Sequence, residues 1–157
     1  MLESISEKPG FWANFQRLNL VLLSTIFLSV AAFGALAQPV HEPGRGTAER
    51  KAVLDAVRPL LEARLGAPVE FVVDWMQVGG GWAFVGLAPQ RPGGAAIDLR
   101  QTTYAEQSEW MDGIQTYALL KHQYNRWNIV DYAIGPTDVF WQGDPLYAQL
   151  PIGLTPY

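Results

Sequence analysis

The pattern of apolar and polar positions predicts one amphipathic helix, followed by segments of a different periodicity. In residues 47–65 apolar residues recur at helical spacing, and charged residues occupy the opposite side. Thr47 is a typical N-cap, and Gly66 stands where a helix ends, with Pro68 just beyond. Pro59 lies inside the pattern, so we expect a kink or a break one turn before it. The apolar side consists of Val53, Leu54, Val57, Leu60, Leu61 and Leu65.

The next two patterned segments predict a β-hairpin. Residues 68–78 and 82–88 are rich in β-branched and aromatic residues, and glycines 79–81 between them favour a turn. A triple glycine also suggests a phosphate-binding loop, but such loops join a strand to a helix, and no Gly-Lys-Ser/Thr sequence follows here. A flexible turn is therefore the preferred interpretation. Residues 95–112 are polar and are expected to form a long connection.

A second hairpin is predicted from residues 113–124 and 127–134, around the two-residue loop 125–126. In that register His122 and Asp131 project from the same face as diagonal neighbours. A histidine beside a carboxylate can act as a general base, so these two residues are the weak catalytic candidates. An ordinary polar pair is the preferred interpretation, because no nucleophile joins them.

The order of elements predicts an α+β domain. One long helix should pack on a four-stranded antiparallel sheet, as in a cystatin-like roll, and Asp144-Pro145 favours a short helical tail over residues 144–150. Both faces of the second hairpin are apolar, so the face away from the helix needs a cover as well. The C-terminal tail is the simplest cover. A homodimer through the second hairpin and a small apolar ligand are the alternatives.

The N-terminal segment predicts export. The uncharged run Leu18–Ala37 follows basic residues and ends in Ala-Leu-Ala, the small residues that a signal peptidase recognises. We expect residues 1–37 to be a helical signal peptide, cleavage before Gln38, and a periplasmic or secreted product. A run of about 20 apolar residues also spans a bilayer, so an uncleaved inner-membrane anchor, with the domain outside the cytoplasm, is the alternative. In that case residues 18–37 alone contact the membrane.

Composition and charge narrow the classes of function. The net charge is −4 and the pI is about 5.1, with no basic stripe, which argues against nucleic acid as a partner. The absence of cysteine excludes a disulfide framework and thiolate chemistry. Two histidines far apart in sequence match no metal-ligand template, and no cofactor is expected. Residues 38–46 are predicted to be a linker, and residues 47–157 a single domain of ordinary size.

Aromatic and charged residues beside turns are the candidate binding residues. Trp82 and Trp127 each begin a strand next to a turn, where a ring either completes a core or forms a contact surface. Arg91 lies in the loop after the second strand, and Asp138 follows a Gly-Pro pair. Asp138 either caps the next turn or presents a free carboxylate. With these contacts, we expect a non-enzymatic binding module for a protein or a small apolar ligand.

Three segments stand in this order along the chain: GWAFVGLAPQRP (81–92), DGIQTYALLK (112–121) and RWNIVDYAIGPTDVFW (126–141). They resemble a group of small exported proteobacterial proteins of unassigned function, which share WAFV, PQRP and IGPTDV segments. The resemblance implies export but no activity, cofactor or catalytic residue. A weaker likeness links QVGGG (77–81) to the Gln-x-Val-x-Gly loop of cystatins. The valine is displaced here, and the Pro-Trp of the second inhibitory loop is missing, so this likeness implies the fold rather than protease inhibition.

Two other functions stay open as expectations. A small enzyme that resembles ketosteroid isomerases would use Asp131 or His122 as a base in an apolar pocket. A membrane-tethered accessory subunit would result if the apolar run were not cleaved. Both differ from the binding module in a testable way, since the first needs an enclosed pocket and the second needs an intact N-terminus.

Overall fold

The computed structural model describes residues 38–156, and the predicted signal helix lies outside them. The described strands form one antiparallel sheet in the order β1-β2-β3-β4. The predicted α+β arrangement of one long helix and a four-stranded antiparallel sheet is confirmed, and so is the short helix in the tail. No helix among these residues has both the length and the apolar character needed to cross a membrane. The elements are α1 (Ala48–Leu65), β1 (Glu70–Gly79), β2 (Trp82–Gln90), a 3-10 turn (Leu99–Gln101), β3 (Thr116–Gln123), β4 (Arg126–Ile134) and α2 (Pro145–Ala148).

Helix α1 begins and ends where the sequence predicts. The Thr47 hydroxyl accepts a hydrogen bond from Arg50 N at 3.3 Å, and Gly66 N donates to Glu62 O at 2.9 Å. The helix runs through Pro59 without a break. Its buried side is the predicted apolar stripe, which fixes the orientation of the helix on the sheet. The residues of that side with no exposed surface are Val53, Val57, Leu61 and Leu65.

Both faces of the sheet are covered. On the face towards α1, here called the helix face, Val85 and Leu120 belong to an aliphatic core. On the opposite face, here called the tail face, Phe84 and Leu119 pack against an aromatic cluster from the C-terminal tail. The tail therefore supplies the cover that the apolar second hairpin requires. Its buried members are Trp141, Tyr147 and Leu154.

The turn between β3 and β4 lies one residue earlier than predicted. Tyr124 and Asn125 form it, both in the left-handed region with φ of 53° and 59°, and His122 pairs directly with Trp127. The predicted loop 125–126 is wrong. Tyrosine seldom adopts a left-handed conformation, so the usual residue preferences of turns do not predict a turn at Tyr124 and Asn125.

Two bulges move side chains from one face of the sheet to the other. The pairing of β4 with β3 is interrupted at Val130, and that of β1 with β2 at Asp74. Each extra residue reverses the in-out alternation beyond it. Trp75 therefore lies on the tail face, where its indole N–H donates to Leu154 O at 3.0 Å.

The segment 38–46, predicted to be a linker, is bonded to the sheet. His41 and Val78 exchange two backbone hydrogen bonds of 2.9 Å, which adds a short strand-like bridge to β1. A Cβ atom on Gly79 would lie 2.8 Å from Val40, so only glycine allows this approach. The segment thus belongs to the folded part of the chain.

Candidate functional site

The two hairpin turns and the start of α1 meet at one end of the sheet, here called the tip. His122 N donates to Gly81 O at 2.8 Å, which links the two turns. An open groove of about 480 Å³ separates α1 from the β3–β4 turn. We call it the tip groove. It is lined by Gln38, Glu49, Ala52, Val78, Gly81, His122, Asn125 and Trp127.

The tip groove has a pair of packed rings on one side and a histidine–carboxylate pair on the other. The imidazole of His122 packs against the indole of Trp127 with ring centroids 4.9 Å apart. Across the groove, the Glu49 carboxylate lies 2.9 Å from His41 Nε2. This hydrogen bond, assisted by the one to Pro39 O, raises the pKa of His41. Both histidines of the chain therefore lie at the tip.

The chemistry of the tip groove fits binding better than catalysis. An aromatic wall, an imidazole, a carboxylate and two amide side chains can stack on a ligand and form hydrogen bonds with it. The lining holds no serine, threonine, cysteine or lysine that His122 could activate. Within residues 38–156 no group of three or more histidine or acidic side chains is placed to hold a metal ion.

The weak catalytic candidates His122 and Asp131 are not neighbours. His122 lies at the tip on the helix face, whereas Asp131 pairs with Leu119 and projects from the tail face. The predicted juxtaposition is wrong because the earlier turn moves the two residues further apart along the strands, and the bulge at Val130 places them on opposite faces. The Asp131 carboxylate instead accepts a hydrogen bond of 2.8 Å from the Tyr147 hydroxyl. Burial, and then this hydrogen bond, raise the pKa of Tyr147.

Arg91, a candidate contact residue, is engaged at the other end of the sheet. Its guanidinium donates to Leu65 O at 2.8 Å, to Pro68 O at 3.0 Å and also to Gly66 O. These carbonyls belong to the C-terminus of α1 and the turn after it, where backbone acceptors lack helical partners. Arg91 is thus a structural residue that closes the helix, and three of its five N–H donors are bound to the backbone.

Trp82 and Trp127 share the tip but not the same face. Trp82 is half-buried and packs against the aromatic cluster of the tail face, with Lys121 Nζ 4.2 Å from its ring centroid. Trp127 lies on the helix face, beside the tip groove. The two tryptophans therefore do not form one binding surface, and Trp127 is the one that lines the groove.

Asp138 is exposed and lies in the turn that follows the Gly135-Pro136 pair. Among residues 38–156 its carboxylate forms no hydrogen bond, so the expected cap is not present. In the IGPTD segment (134–138) the glycine has a structural role. Gly135 has φ of 63°, and a Cβ atom there would lie 2.6 Å from Gly113 O.

Sequence reasoning missed six of the eight residues that line the tip groove. Glu49 looks like an ordinary acidic residue in the first turn of a helix, and residues before the helix look like a linker. Only the position of Asn125 next to a turn could have pointed to the groove. The lining residues that the sequence did not single out are Gln38, Glu49, Ala52, Val78, Gly81 and Asn125.

Comparisons with known proteins give no match to a family model, to a curated protein or to a solved structure. The resemblance to small exported proteins through the WAFV, PQRP and IGPTDV segments therefore stays a prediction. The tip groove, at about 480 Å³, combines an open shape with several kinds of binding group.

Proposed function

We propose that this chain is an exported, non-catalytic binding module that holds a partner protein or a small apolar ligand in the tip groove. The observation that carries the proposal is the Trp127–His122 pair on the wall of an open groove of about 480 Å³. A large aromatic ring beside polar groups is the usual composition of a contact site. Trp127 supplies apolar area, and His122 with Glu49 supplies hydrogen bonds that orient what is bound.

Export is supported by the sequence before the domain. The run Leu18–Ala37 has the length and the Ala-Leu-Ala ending of a signal peptide. Intact-mass measurement of the protein recovered from its host tests this proposal. A product that begins at Gln38 and lies in the periplasm is expected. A full-length mass in the membrane fraction would replace it with the anchored form, in which the domain is a tethered accessory subunit.

The finer fold proposal is a cystatin-like roll. It is supported by the order of elements, a helix followed by four sequentially paired antiparallel strands, with α1 on one face. An experimental structure in which the sheet curves around α1 is expected, whereas a flat sheet would contradict the proposal.

Site-specific photo-crosslinking in living cells tests the binding proposal. Ala52 is exposed and lines the tip groove, so a benzoylphenylalanine at position 52 should give a discrete crosslinked product. The same group at Ala105, an exposed position in the connection between β2 and β3, serves as the matched control. Equal products from both positions, or none from position 52, would contradict a binding role for the groove.

The second half of the test uses the groove residues themselves. His122→Ala removes an exposed side chain, so it should leave the fold intact while the crosslink at position 52 weakens. Trp127→Leu should remove the crosslink and keep most of the apolar packing. Circular dichroism of both variants checks the fold, and a crosslink of undiminished yield in both would show that these residues do not bind the partner.

A further inference from the structure

Charge is unevenly distributed over the domain. From residue 38 onward the sequence has nine lysine and arginine residues and thirteen acidic residues. Segments 38–51 and 121–127, which meet at the tip, contain five of the nine cationic residues and only two of the thirteen acidic ones. The tip is therefore net positive in a chain whose net charge is −4. The five cationic residues are Arg45, Arg50, Lys51, Lys121 and Arg126.

Two of these cations are available to an outside partner. Arg45 lies just before the N-cap of α1, Arg126 begins β4, and both are exposed. Within residues 38–156 neither forms an ion pair. Arg50 and Lys51, in contrast, each have a carboxylate partner. Unpaired guanidinium groups at a surface favour a partner that carries phosphate or carboxylate groups.

An exposed aromatic residue lies two positions before Arg126. Tyr124 is at the apex of the β3–β4 turn, and its side chain is 91 % exposed. Its backbone is left-handed, a conformation that asparagine and glycine adopt with less strain than tyrosine. Neither core packing nor turn geometry therefore explains a tyrosine here. Basic residues together with an exposed tyrosine or tryptophan are typical of protein surfaces at the headgroup level of a bilayer.

The apolar N-terminal run joins the domain at this same end. The run ends at Ala37, directly before Gln38, and Gln38 O accepts a hydrogen bond of 3.1 Å from Gly80 N in the β1–β2 turn. Before cleavage at Gln38, the tip is thus the part of the domain that directly follows the apolar run in sequence.

We propose that the tip docks on the headgroup layer of an anionic lipid bilayer through Arg45, Tyr124 and Arg126. The guanidinium groups meet lipid phosphates, and the tyrosine ring lies at the boundary between headgroups and acyl chains. The rest of the domain has four cationic and eleven acidic residues, so it is repelled by the same surface. Attraction at one end and repulsion elsewhere orient the domain upright. This inference rests on the proposed function only in that export places the domain beside a membrane.

Quenching by labelled lipids in reconstituted vesicles tests the docking. The chain has no cysteine, so a single cysteine at Ala52 or at Trp110 can carry a fluorescent label without competition. Ala52 lies at the tip, whereas Trp110 is an exposed residue, at 78 %, in the connection between β2 and β3. The product that begins at Gln38 is mixed with vesicles that contain a headgroup nitroxide, either with phosphatidylglycerol or with neutral phosphatidylcholine alone.

Strong quenching at position 52 and weak quenching at position 110 is expected in the phosphatidylglycerol vesicles. The difference should largely disappear in neutral vesicles and in molar salt, which screens the cations. Arg126→Gln should weaken the docking equilibrium about fivefold, the usual contribution of one basic residue near an anionic surface. Tyr124→Asn should weaken it as well, although this change favours the turn and so cannot act by unfolding.

Two outcomes would overturn the inference. Equal quenching at position 52 in anionic and neutral vesicles would mean that the cations do not hold the tip near the lipid. No quenching there in either vesicle would mean that the tip faces a protein or solvent. Neither outcome touches the binding role of the tip groove, because that role is tested through Trp127 and His122 by crosslinking in cells. The two proposals therefore fail separately.

Discussion

The two ends of the sheet use arginine in opposite ways. At the end beside the C-terminus of α1, here called the braced end, Arg91 donates to the carbonyls of Leu65, Gly66 and Pro68. At the tip, the exposed Arg126 has no carboxylate partner within residues 38–156. Arginine thus stabilises the fold at one end of the sheet, whereas at the other end it presents a charge that no carboxylate within residues 38–156 pairs. Its partners, and not its identity, decide which role it has.

The left-handed positions of the two ends show the same contrast. At the braced end Gly135 adopts this conformation, and its backbone lies close to Gly113 O. At the tip Gly80, Gly81 and Asn125 adopt it as well, and so does Tyr124, which gains no packing because it is 91 % exposed. A residue that is held in an unfavourable backbone conformation and adds nothing to packing indicates a contact surface. The braced end therefore stabilises the fold, and the exposed tyrosine supports the proposal that the tip is a contact surface.

The largest expected effect breaks the braced end. Gly135→Ala forces a Cβ atom to within 2.6 Å of Gly113 O, in a backbone conformation with φ of 63°. Left-handed strain and overpacking together should lower the free energy of unfolding by about 2–4 kcal/mol. Urea unfolding followed by circular dichroism measures this loss.

A glycine at the tip is the control for that variant. Gly81 is also left-handed, with φ of 78°, but a Cβ atom there meets nothing within 4 Å. Gly81→Ala should therefore cost only the backbone strain, about 1 kcal/mol. Equal losses in the two variants would show that the close contact at Gly135 is not part of what braces this end.

The next effect compares arginine at the two ends. Arg91→Ala leaves carbonyls at the C-terminus of α1 without their charged donor, which should lower the free energy of unfolding by about 1.5–3 kcal/mol. Arg126→Ala should change it by less than about 0.5 kcal/mol. Urea unfolding of both variants measures the difference. Arg91→Lys should recover a part only, because one ammonium group cannot span three carbonyls. Similar losses at positions 91 and 126 would contradict the contrast between the ends.

Sequence reasoning succeeded where short-range pattern decides the structure. The apolar stripe and the capping residues Thr47 and Gly66 locate α1 to within a residue. The α+β class followed from one helical pattern and four β-type patterns, and the need for a tail cover followed from a hairpin that is apolar on both faces. Each of these conclusions depends on residues that are close together in the chain.

Sequence reasoning failed where a single residue changes the register of strand pairing. Two bulges, at Asp74 and Val130, leave no trace in the alternation of apolar residues, yet each moves every later side chain to the other face. The turn at Tyr124 contradicts the usual preference for asparagine or glycine. The turn and the bulge at Val130 together separate His122 from Asp131. The tip groove was missed for a different reason, since its walls come from three segments that only the tertiary fold brings together.

A stabilising change at the tip sharpens the contrast. Tyr124→Asn should raise the free energy of unfolding by about 0.5–1 kcal/mol, because asparagine tolerates the left-handed region better than tyrosine. Thermal and urea unfolding should both report the gain. Tyr124→Phe keeps the strain and should leave stability unchanged. A loss of stability in the asparagine variant would show that the tyrosine ring makes a structural contribution, and the assignment of Tyr124 to a contact surface would fail.

The smallest expected effect is a pH dependence at the tip. His41 has its pKa raised above 6.5 by the hydrogen bond to Glu49, so the protonated form is favoured in the folded state. The stability from this pair is fully present below pH 6.5 and is lost as pH rises through the folded pKa of His41.

Because both side chains of the pair are more than a third exposed, solvent screening limits its contribution to less than about 0.5 kcal/mol. Urea unfolding of the parent and of His41→Gln at pH 5.5 and pH 8 measures it. The variant should be less stable at pH 5.5 and equal to the parent at pH 8, and Glu49→Gln should remove the same pH dependence. A difference that persists at pH 8 would show that His41 stabilises the tip through its neutral ring rather than through its charge.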